Sequence, residues 1–342
     1  MKKNVVLGLS GGVDSAVAAA RLRADGFEVL GVYLEMGVGD GAAAARQAAA
    51  ELDIPLEVVD IRDALEHHVC TPFAQSYLSG RTPLPCAVCN PTVKFPALLA
   101  AADRLGATFV ATGHYAKTAP GSNGRTLLLR GEHTNDQSYL LARLPQEILQ
   151  RVIFPLSDYK KEAIRTQAEE GGLSAAHRPD SMEICFVPDD DYAAWLEKRG
   201  DVPPPGNFVD KEGNVLGRHK GFHHYTLGQR RGLGVPAAHR LFVTAIRPER
   251  NEVVLSAGED LNYTTVFCTD PNWISIPAPE GVLECEARFR HSKQSVPVSV
   301  LCHGEEITVS AHSPVRAPTP GQLAVFYDGD IVLGSAWIDR AE

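Results

Sequence analysis

Two groups of residues in this 342-residue chain have types and spacings that could do chemistry. The first is Ser10-Gly11-Gly12-Val13-Asp14-Ser15. Gly11 and Gly12 carry no Cβ, so the backbone can turn sharply and come close to a ligand. A helix opening here would aim unpaired N–H groups and its positive dipole end at an anion. Ser10 and Ser15 add hydroxyls, and Asp14 suits a Mg2+ partner or a capping role. Gly8 and Leu9 precede the turn and, with Val13 inside it, belong to the same nucleotide-binding candidate. No Gly-Lys-Ser/Thr follows, so this is not a Walker loop. The plainer reading is a glycine turn with a serine cap.

The second group is thiols. Cys86 and Cys89 form a C-x-x-C in Pro83-Leu84-Pro85-Cys86-Ala87-Val88-Cys89-Asn90, and Cys185 follows in Asp180-Ser181-Met182-Glu183-Ile184-Cys185-Phe186. A C-x-x-C can be half a zinc site, a redox pair or part of an iron–sulfur ligand set. Two thiols at that spacing often lower the pKa of one, which favours a thiolate.

Elements that would position these groups read as follows. Asn4–Leu9 predicts a buried strand and Ala16–Leu22 a helix. Glu28–Tyr33, Leu56–Asp60 and Thr108–Thr112 predict further strands. Gly41–Leu52, Asp63–Ser79 and Phe95–Leu105 predict helices. Alternation of this kind builds a parallel sheet covered on both faces, with ligands beyond the carboxyl ends of the strands. Ser10, Tyr33-Leu34 and Gly113-His114-Tyr115 all fall at such ends and are expected in one crevice. Gly113 would let a base or ribose approach; His114 is either a ligand contact or a satisfied surface histidine. Thr126–Gly131 reads as a hairpin arm. Asn135-Asp136-Gln137 is either a helix cap or a set of groups reading nucleotide edges. Lys160-Lys161 is a phosphate contact or a solvated helix start.

The formal net charge of −9 argues against non-specific nucleic-acid binding through overall charge. No apolar run has membrane-spanning length, and Met1-Lys2-Lys3 runs straight into a strand, so neither a signal peptide nor a membrane partner is expected and the default location is cytoplasmic. Seven cysteines, an odd number, then suggest thiols or ligands rather than a disulfide framework.

The length predicts two or three domains. After Asp189-Asp190-Asp191-Tyr192, a helix start, Pro203-Pro204-Pro205-Gly206 reads as a rigid linker. Residues 219–234 are the densest basic and aromatic stretch, suited to phosphates and stacked bases, or else a turn region with solvated charges. His219, His223 and His224 suggest a metal, but no cysteine or carboxylate nearby completes a ligand set. From Thr264 five or six short strands predict a small barrel. It carries Arg288-Phe289-Arg290-His291 and Gln322, with Cys268, Cys285 and Cys302 as small hydrophobes.

The Ser10–Ser15 loop resembles the SGGxDS pyrophosphate loop of the PP-loop ATP pyrophosphatases. The whole chain, from Leu7 to about Trp337, resembles the tRNA-specific 2-thiouridylase family. The motifs that carry this are the loop, the Gly80–Phe95 pattern, Gly113-His114-Tyr115-Ala116-Lys117, Asp136-Gln137-Ser138-Tyr139, Ile184-Cys185-Phe186 and Tyr225-Thr226-Leu227-Gly228-Gln229-Arg230-Arg231-Gly232, in the family's order.

The resemblance implies an α/β Rossmann-like catalytic domain of the PP-loop, adenine nucleotide alpha hydrolase-like type over residues 1–192. It also implies a small mixed or β central domain over 193–260, involved in tRNA binding, and a C-terminal β-barrel over 261–342. ATP would adenylate the C2 oxygen of the wobble uridine, with Mg2+, and pyrophosphate would leave toward Ser10–Ser15. Cys185 would carry a persulfide from a sulfur-relay protein or cysteine desulfurase. Cys89 would be the nucleophile that resolves it through a Cys89–Cys185 disulfide. The target base would sit by Leu84, Pro85 and Cys86, with tRNA contacts at His114, Asn135, Asp136, Gln137, Arg288, Phe289 and Gln322. A monomer acting on tRNAs for Lys, Glu and Gln is the inherited expectation.

One departure is chemical. The family commonly has an aspartate where this chain has Cys86, and a thiol is a different acid from a carboxylate. Cys86, Cys89 and Cys185 then resemble the ligands of a [4Fe–4S] cluster in iron–sulfur tRNA thiolases. A second departure is the short, glycine- and alanine-rich Met36–Ala45 loop. Competing functions are another PP-loop tRNA-modifying ligase, which would not need the cysteines, and an ATP- and tRNA-binding protein without thiolase activity.

Overall fold

The computed structural model describes residues 3–131, 135–179, 184–291 and 294–342. The Met1-Lys2 start and Asp180–Glu183 of the Cys185 stretch lie outside the described residues.

Strand β1 (Lys3–Gly8) is followed by β2 (Phe27–Glu35), β3 (Leu56–Asp60) and β4 (Phe109–Ala111). A hairpin, β5 (Ala116–Pro120) and β6 (Thr126–Arg130), precedes the short β7 (Val152–Ile153). The first sheet runs β3-β2-β1-β4-β7, every pair parallel. Its centre is apolar on both faces, as a covered parallel sheet requires. Val6 faces one core with Phe95 and Leu98, while Val5 and Leu7 face the other with Val17 and Leu22. That is the period-two alternation of a strand read directly in the packing.

Helix α1 (Val13–Ala24) opens from the glycine loop, and the alanine-rich α2 (Gly41–Glu51) lies across it. The helix expected over Asp63–Ser79 exists but contains a wider π-helical turn, Glu66–Cys70. A second, Asn90–Lys94, joins the short helix Pro85–Cys89 to Phe95–Leu105. Pro72, Pro91 and Pro96 supply the cause, since each lacks the N–H an α-helix would use there. Such turns concentrate at functional sites.

A four-stranded sheet follows, from β8 (Gly206–Val209), β9 (Val215–His219), β10 (Phe242–Arg247) and β11 (Glu252–Ser256), in the order β10-β11-β8-β9. Phe208, Phe222, Tyr225, Leu233 and Val253 form its core. This splits the basic–aromatic stretch. Phe222 and Tyr225 are core residues rather than stacking platforms, while Arg230, Arg231, His239 and Arg240 are exposed. His219 is structural: its Nδ1 accepts the Gly206 and Gly221 N–H groups at 3.3 and 3.1 Å. The proton therefore sits on Nε2, which donates to the Asn251 carbonyl at 3.1 Å.

The last six strands are β12 (Asn262–Trp273), β13 (Val282–Arg288), β14 (Val296–His303), β15 (Glu306–Arg316), β16 (Leu323–Asp328) and β17 (Ile331–Ala341). They run β12-β15-β14-β13-β16-β17, and β12 pairs again with β17, closing a barrel. The expected barrel is therefore present, with Cys268 packed inside it as a small hydrophobe.

The sequence does not reveal how the barrel meets the first sheet's domain. The β5–β6 hairpin pairs with β17, Leu129 opposite Ile331 and Leu128 opposite Val332. One apolar core runs from Val6 and Phe95 through Tyr139 to Leu323, Val325 and Tyr327. The Tyr139 hydroxyl donates to the Leu323 carbonyl at 2.9 Å. Asp136 Oδ1 accepts the Ser138 N–H at 2.9 Å, and its Oδ2 pairs with Arg288 Nη1 at 2.7 Å. Both side chains of that pair are nearly inaccessible, 5% and 8% exposed.

Removing one partner of a buried pair strands the other charge, which costs about 3–5 kcal/mol. Arg288→Ala should lower unfolding free energy by about that amount in urea titration. The double variant Arg288→Met/Asp136→Asn should recover most of it, because no charge is then left buried and an amide oxygen can still accept the Ser138 and Gly131 N–H groups. Equal losses in the single and double variants would show that the pair is not the source of the stability.

Candidate active site

The Ser10–Ser15 loop begins where β1 ends. Gly11 has φ +79°, and a Cβ on it would lie 2.5–2.7 Å from Ala44 and Ala45 atoms of α2. Both the glycine and the small residues opposite it are thus required by close approach. Ser15 Oγ donates to the Gly12 carbonyl at 3.0 Å and accepts the Ser10 N–H at 3.2 Å. Gly12 stands at the helix N-cap with extended backbone and no side-chain cap, so the N–H groups of the first turn remain for a ligand. Leu9 and Val13 are core residues, and what they offer a nucleotide is backbone. Gly8 packs under Leu98.

The crevice reading of the strand ends holds for the Gly113 loop. A Cβ on Gly113 would sit 3.0 Å from Asp14 and 3.1 Å from the Ser15 nitrogen. Asp14 Oδ1 accepts the Tyr115 hydroxyl at 2.6 Å, and Oδ2 pairs with Lys161 Nζ at 2.6 Å. Lys161 is therefore drawn to the mouth of the phosphate loop rather than left on a solvated helix face. The donor set of open helix N–H groups, serine hydroxyls and a lysine fits the phosphates of ATP. Each Asp14 oxygen has one partner, so a lone pair on each is left for Mg2+. Leu34, at the end of β2, is half-buried between two cores.

His114 Nδ1 shares a hydrogen bond with Thr112 Oγ1 at 2.7 Å, and its ring lies over Phe95, centroids 6.1 Å apart. Burial of the ring, helped by the charge of Lys94, holds it well below its ordinary value, so it is neutral at pH 7. Lys94, in the π-helical turn, also acts on the thiols. Burial pushes Cys89 up and Lys94 pulls it partly back. Crowding by the protein pushes Cys185 up to about 11, again opposed by Lys94. Cys185 is nevertheless exposed, Cys86 half-buried and Cys89 buried. Cys89 shares an apolar cluster with Phe186 and Val187, the residues that follow Cys185. One cation thus faces the thiol group and the nucleotide-side histidine together.

The remaining candidates build this site from behind. Gln322 Nε2 donates to the Thr82 and Pro83 carbonyls at 3.0 and 3.2 Å, fixing the loop that carries Leu84, Pro85 and Cys86, all half-buried. Gln137 exchanges hydrogen bonds with Tyr115, 2.8 and 3.0 Å. Asp136 is a cap and a buried ion-pair partner, and Phe289 is in the barrel core. A direct RNA contact through Asp136 or Arg288 would require their pair to open. Asn135 lies half-buried at the start of the same segment.

Three residues were given no role by the sequence reading, though Asn90 and Lys94 lie in the Gly80–Phe95 pattern. The fold turns Lys94 on the thiols. Cys70 is buried in the same cluster, its thiol pushed up to about 12 chiefly by burial, and is a packing residue. Asn90 is buried, donates to the Leu140 carbonyl at 2.9 Å, and keeps Oδ1 without a partner. Its place beside Cys89 was the available signal.

Profiles of three families match in succession: a tRNA methyl transferase HUP domain over residues 3–189, a tRNA methyl transferase PRC-barrel domain over 194–257, and an aminomethyltransferase β-barrel domain over 263–338. The chain is 42% identical to the tRNA-specific 2-thiouridylase of Desulfitobacterium hafniense strain Y51, over 98% of each chain. It is 42% identical to that of Syntrophotalea carbinolica, over 98% of each, and 41% identical to that of Clostridium perfringens, over 99% of each. With its phosphate loop, its thiols and relatives matched from end to end, this chain belongs to the tRNA-specific 2-thiouridylase family.

Proposed function

We propose that this chain uses ATP to exchange the C2 oxygen of a tRNA wobble uridine for sulfur, giving 2-thiouridine, AMP and pyrophosphate. The observation that carries the reading is the two-ended site, a phosphate loop and a thiol group bridged by Lys94 and the neutral His114. Methyl transfer, the word in two of the matching family descriptions, needs neither a pyrophosphate loop nor thiols.

The loop N–H groups, with Lys161 held by Asp14, bind the β and γ phosphates and orient the α phosphate toward the uridine oxygen, which attacks it; the O2–Pα bond forms and the bond from Pα to the departing pyrophosphate breaks. Mg2+ is held by the phosphates. Cys185, being exposed, takes a sulfur atom from a sulfur-relay protein or cysteine desulfurase as a persulfide. The terminal sulfur bonds to C2, and the C2–O bond breaks as AMP leaves. The Cys89 thiolate then attacks Cys185 Sγ, the S–S bond breaks, and sulfur stays on the uridine. The Cys89–Cys185 disulfide is reset by a dithiol reductant. The base lies by Leu84, Pro85 and Cys86. The exposed Arg230, Arg231 and Arg240 of the central domain carry the tRNA backbone, and Gln322, Asp136 and Arg288 hold the site in place. We assign these roles to residues 1–192, 193–260 and 261–342 of a monomeric, cytoplasmic enzyme acting on tRNAs for Lys, Glu and Gln. No helix among the described residues is long and apolar enough to cross a membrane.

A second reading is favoured by Cys86. In place of the family's carboxylate it makes a three-thiol set, which would hold a [4Fe–4S] cluster supplying the sulfur-binding iron. Iron and acid-labile sulfide after anaerobic purification separate the two. We expect thiolation-competent protein with no stoichiometric iron; a cluster lost in Cys86→Ala would establish the second reading instead.

Cys89→Ser and Cys185→Ser should each abolish 2-thiouridine, scored by mercury-gel retardation of tRNA, while ATP still binds. Full thiolation in either variant would leave a ligase-type reaction as the better account.

Since the Cys185 pKa is raised, the thiol is protonated at neutral pH. Its alkylation by iodoacetamide should climb about 10-fold per pH unit from roughly 7 to 9, where an ordinary thiol begins to level off near ~8.5. Lys94→Met should slow alkylation of both Cys89 and Cys185 by about 10-fold or less at fixed pH. An early plateau would refute the burial effect, and an unchanged rate in the variant would remove Lys94 from the site.

A further inference from the structure

Helix Tyr192–Arg199 is fastened on one side to the domain that holds the thiols. Trp195 and Leu196 pack in the cluster that holds Cys89, Phe186 and Val187. Arg199 pairs with Glu66 and lies over the Trp195 ring, 4.4 Å to its centroid. Glu197 instead reaches the short turn Phe222–His224 of the central domain.

There Glu197 Oε1 stands 3.1 Å from His224 Nε2 and 3.8 Å from His223 Nε2. One ligand atom from each of the three lies within 4.8 Å of the others. Among the described residues it is the one such group, and the three cysteines of the thiol site do not form another. His223 is the telling member. Its side chain is 1% exposed, yet neither ring nitrogen makes a hydrogen bond. A buried polar ring without partners is costly and rare unless something absent from the protein satisfies it. The turn is built to hold the ring there: Gly221 has φ +147°, and a Cβ on it would lie 2.5 Å from the His223 ring. His219, the third histidine of the stretch, is excluded because both its nitrogens are engaged. The carboxylate absent from the local sequence comes from a helix of the neighbouring segment.

We propose that Glu197, His223 and His224 bind one Zn2+ ion that clamps helix 192–199 to the central domain. Two imidazoles and a carboxylate are a zinc-type donor set, with a fourth tetrahedral position left for water. Burial holds His223 below its ordinary value, with His224 adding to the effect, so the ring is neutral, as ligation requires. Glu197 and His224 are partly exposed, at 48% and 23%, which gives the ion an entry path. Because the helix packs on the residues following Cys185, the ion would also steady that segment.

The test uses the full chain, stripped by chelator and titrated with Zn2+ or Co2+ alone. One Co2+ should bind with the visible bands of a tetrahedral site and without the intense near-ultraviolet sulfur-to-cobalt band. Zn2+ should raise Tm by several degrees. His223→Ala risks misfolding, so Glu197→Gln and His224→Ala are the informative variants. Each should weaken binding at least ~10-fold and remove the Tm rise while leaving the circular dichroism of the metal-free protein unchanged. Unchanged affinity in both variants overturns the proposal, as does the absence of a Tm rise. A sulfur-to-cobalt band that disappears in Cys86→Ala also overturns it, placing the metal on the thiols.

Discussion

The candidate site depends on the loop after β4 touching the first turn of α1. At Gly113 the approach to Asp14 is so close that a single Cβ would separate them. That contact brings Tyr115 within reach of the Asp14 carboxylate, and the carboxylate in turn holds Lys161 at the mouth of the loop. Helix N–H groups alone would attract an anion weakly, since their field decays within a turn. A lysine fixed beside them, on a side chain only 18% exposed, adds a positive charge at the same place. A cation tethered before the ligand arrives loses little freedom on binding.

The thiol end follows a different rule. Burial raises Cys89, Cys185 and Cys70 together, so the resting site holds neutral thiols rather than a standing thiolate. Neutral thiols resist adventitious oxidation. A thiol of high pKa is also intrinsically the stronger nucleophile once its proton is gone. The site therefore requires a group that favours the anion only locally, and Lys94 fills that need from a helical turn widened by prolines on either side. Its charge also adds to the burial that keeps His114 neutral, so one residue acts on both ends.

How much of this was legible follows from where the information lies. The phosphate loop could be read because the chemistry dictates the residues: only glycine turns there, and only a strand before and a helix after make it a trap. The barrel could be read because five of its strands announce themselves in short apolar runs, whereas the closing strand, Asn262–Trp273, is long and largely polar. The stretch 219–234 could be read only halfway. Its composition is basic and aromatic, but which residues face inward depends on sheet register, and Phe222, Tyr225 and His223 face in. Cys70 and Glu197 were invisible, and Lys94 was only a member of the Gly80–Phe95 pattern, for one reason. Each acquires its meaning from a neighbour far away in sequence.

The same limit changes how the tRNA candidates on the barrel are to be understood. Arg288 and Gln322 carry residue types suited to nucleic acid, and a motif match assigns them to it. In the fold, Gln322 holds the backbone that presents Leu84 to Cys86, and Arg288 is spent on Asp136, which caps the segment joined to Tyr115. From Tyr115 the chain of contacts reaches Asp14 and the phosphate loop. The barrel thus determines where both ends of the site stand. A residue that positions the site is under the same demand for identity as one that touches substrate, so a motif cannot distinguish them. Burial can: a side chain 8% exposed and already paired holds Asp136 in place, and reaches a ligand only if that pair opens.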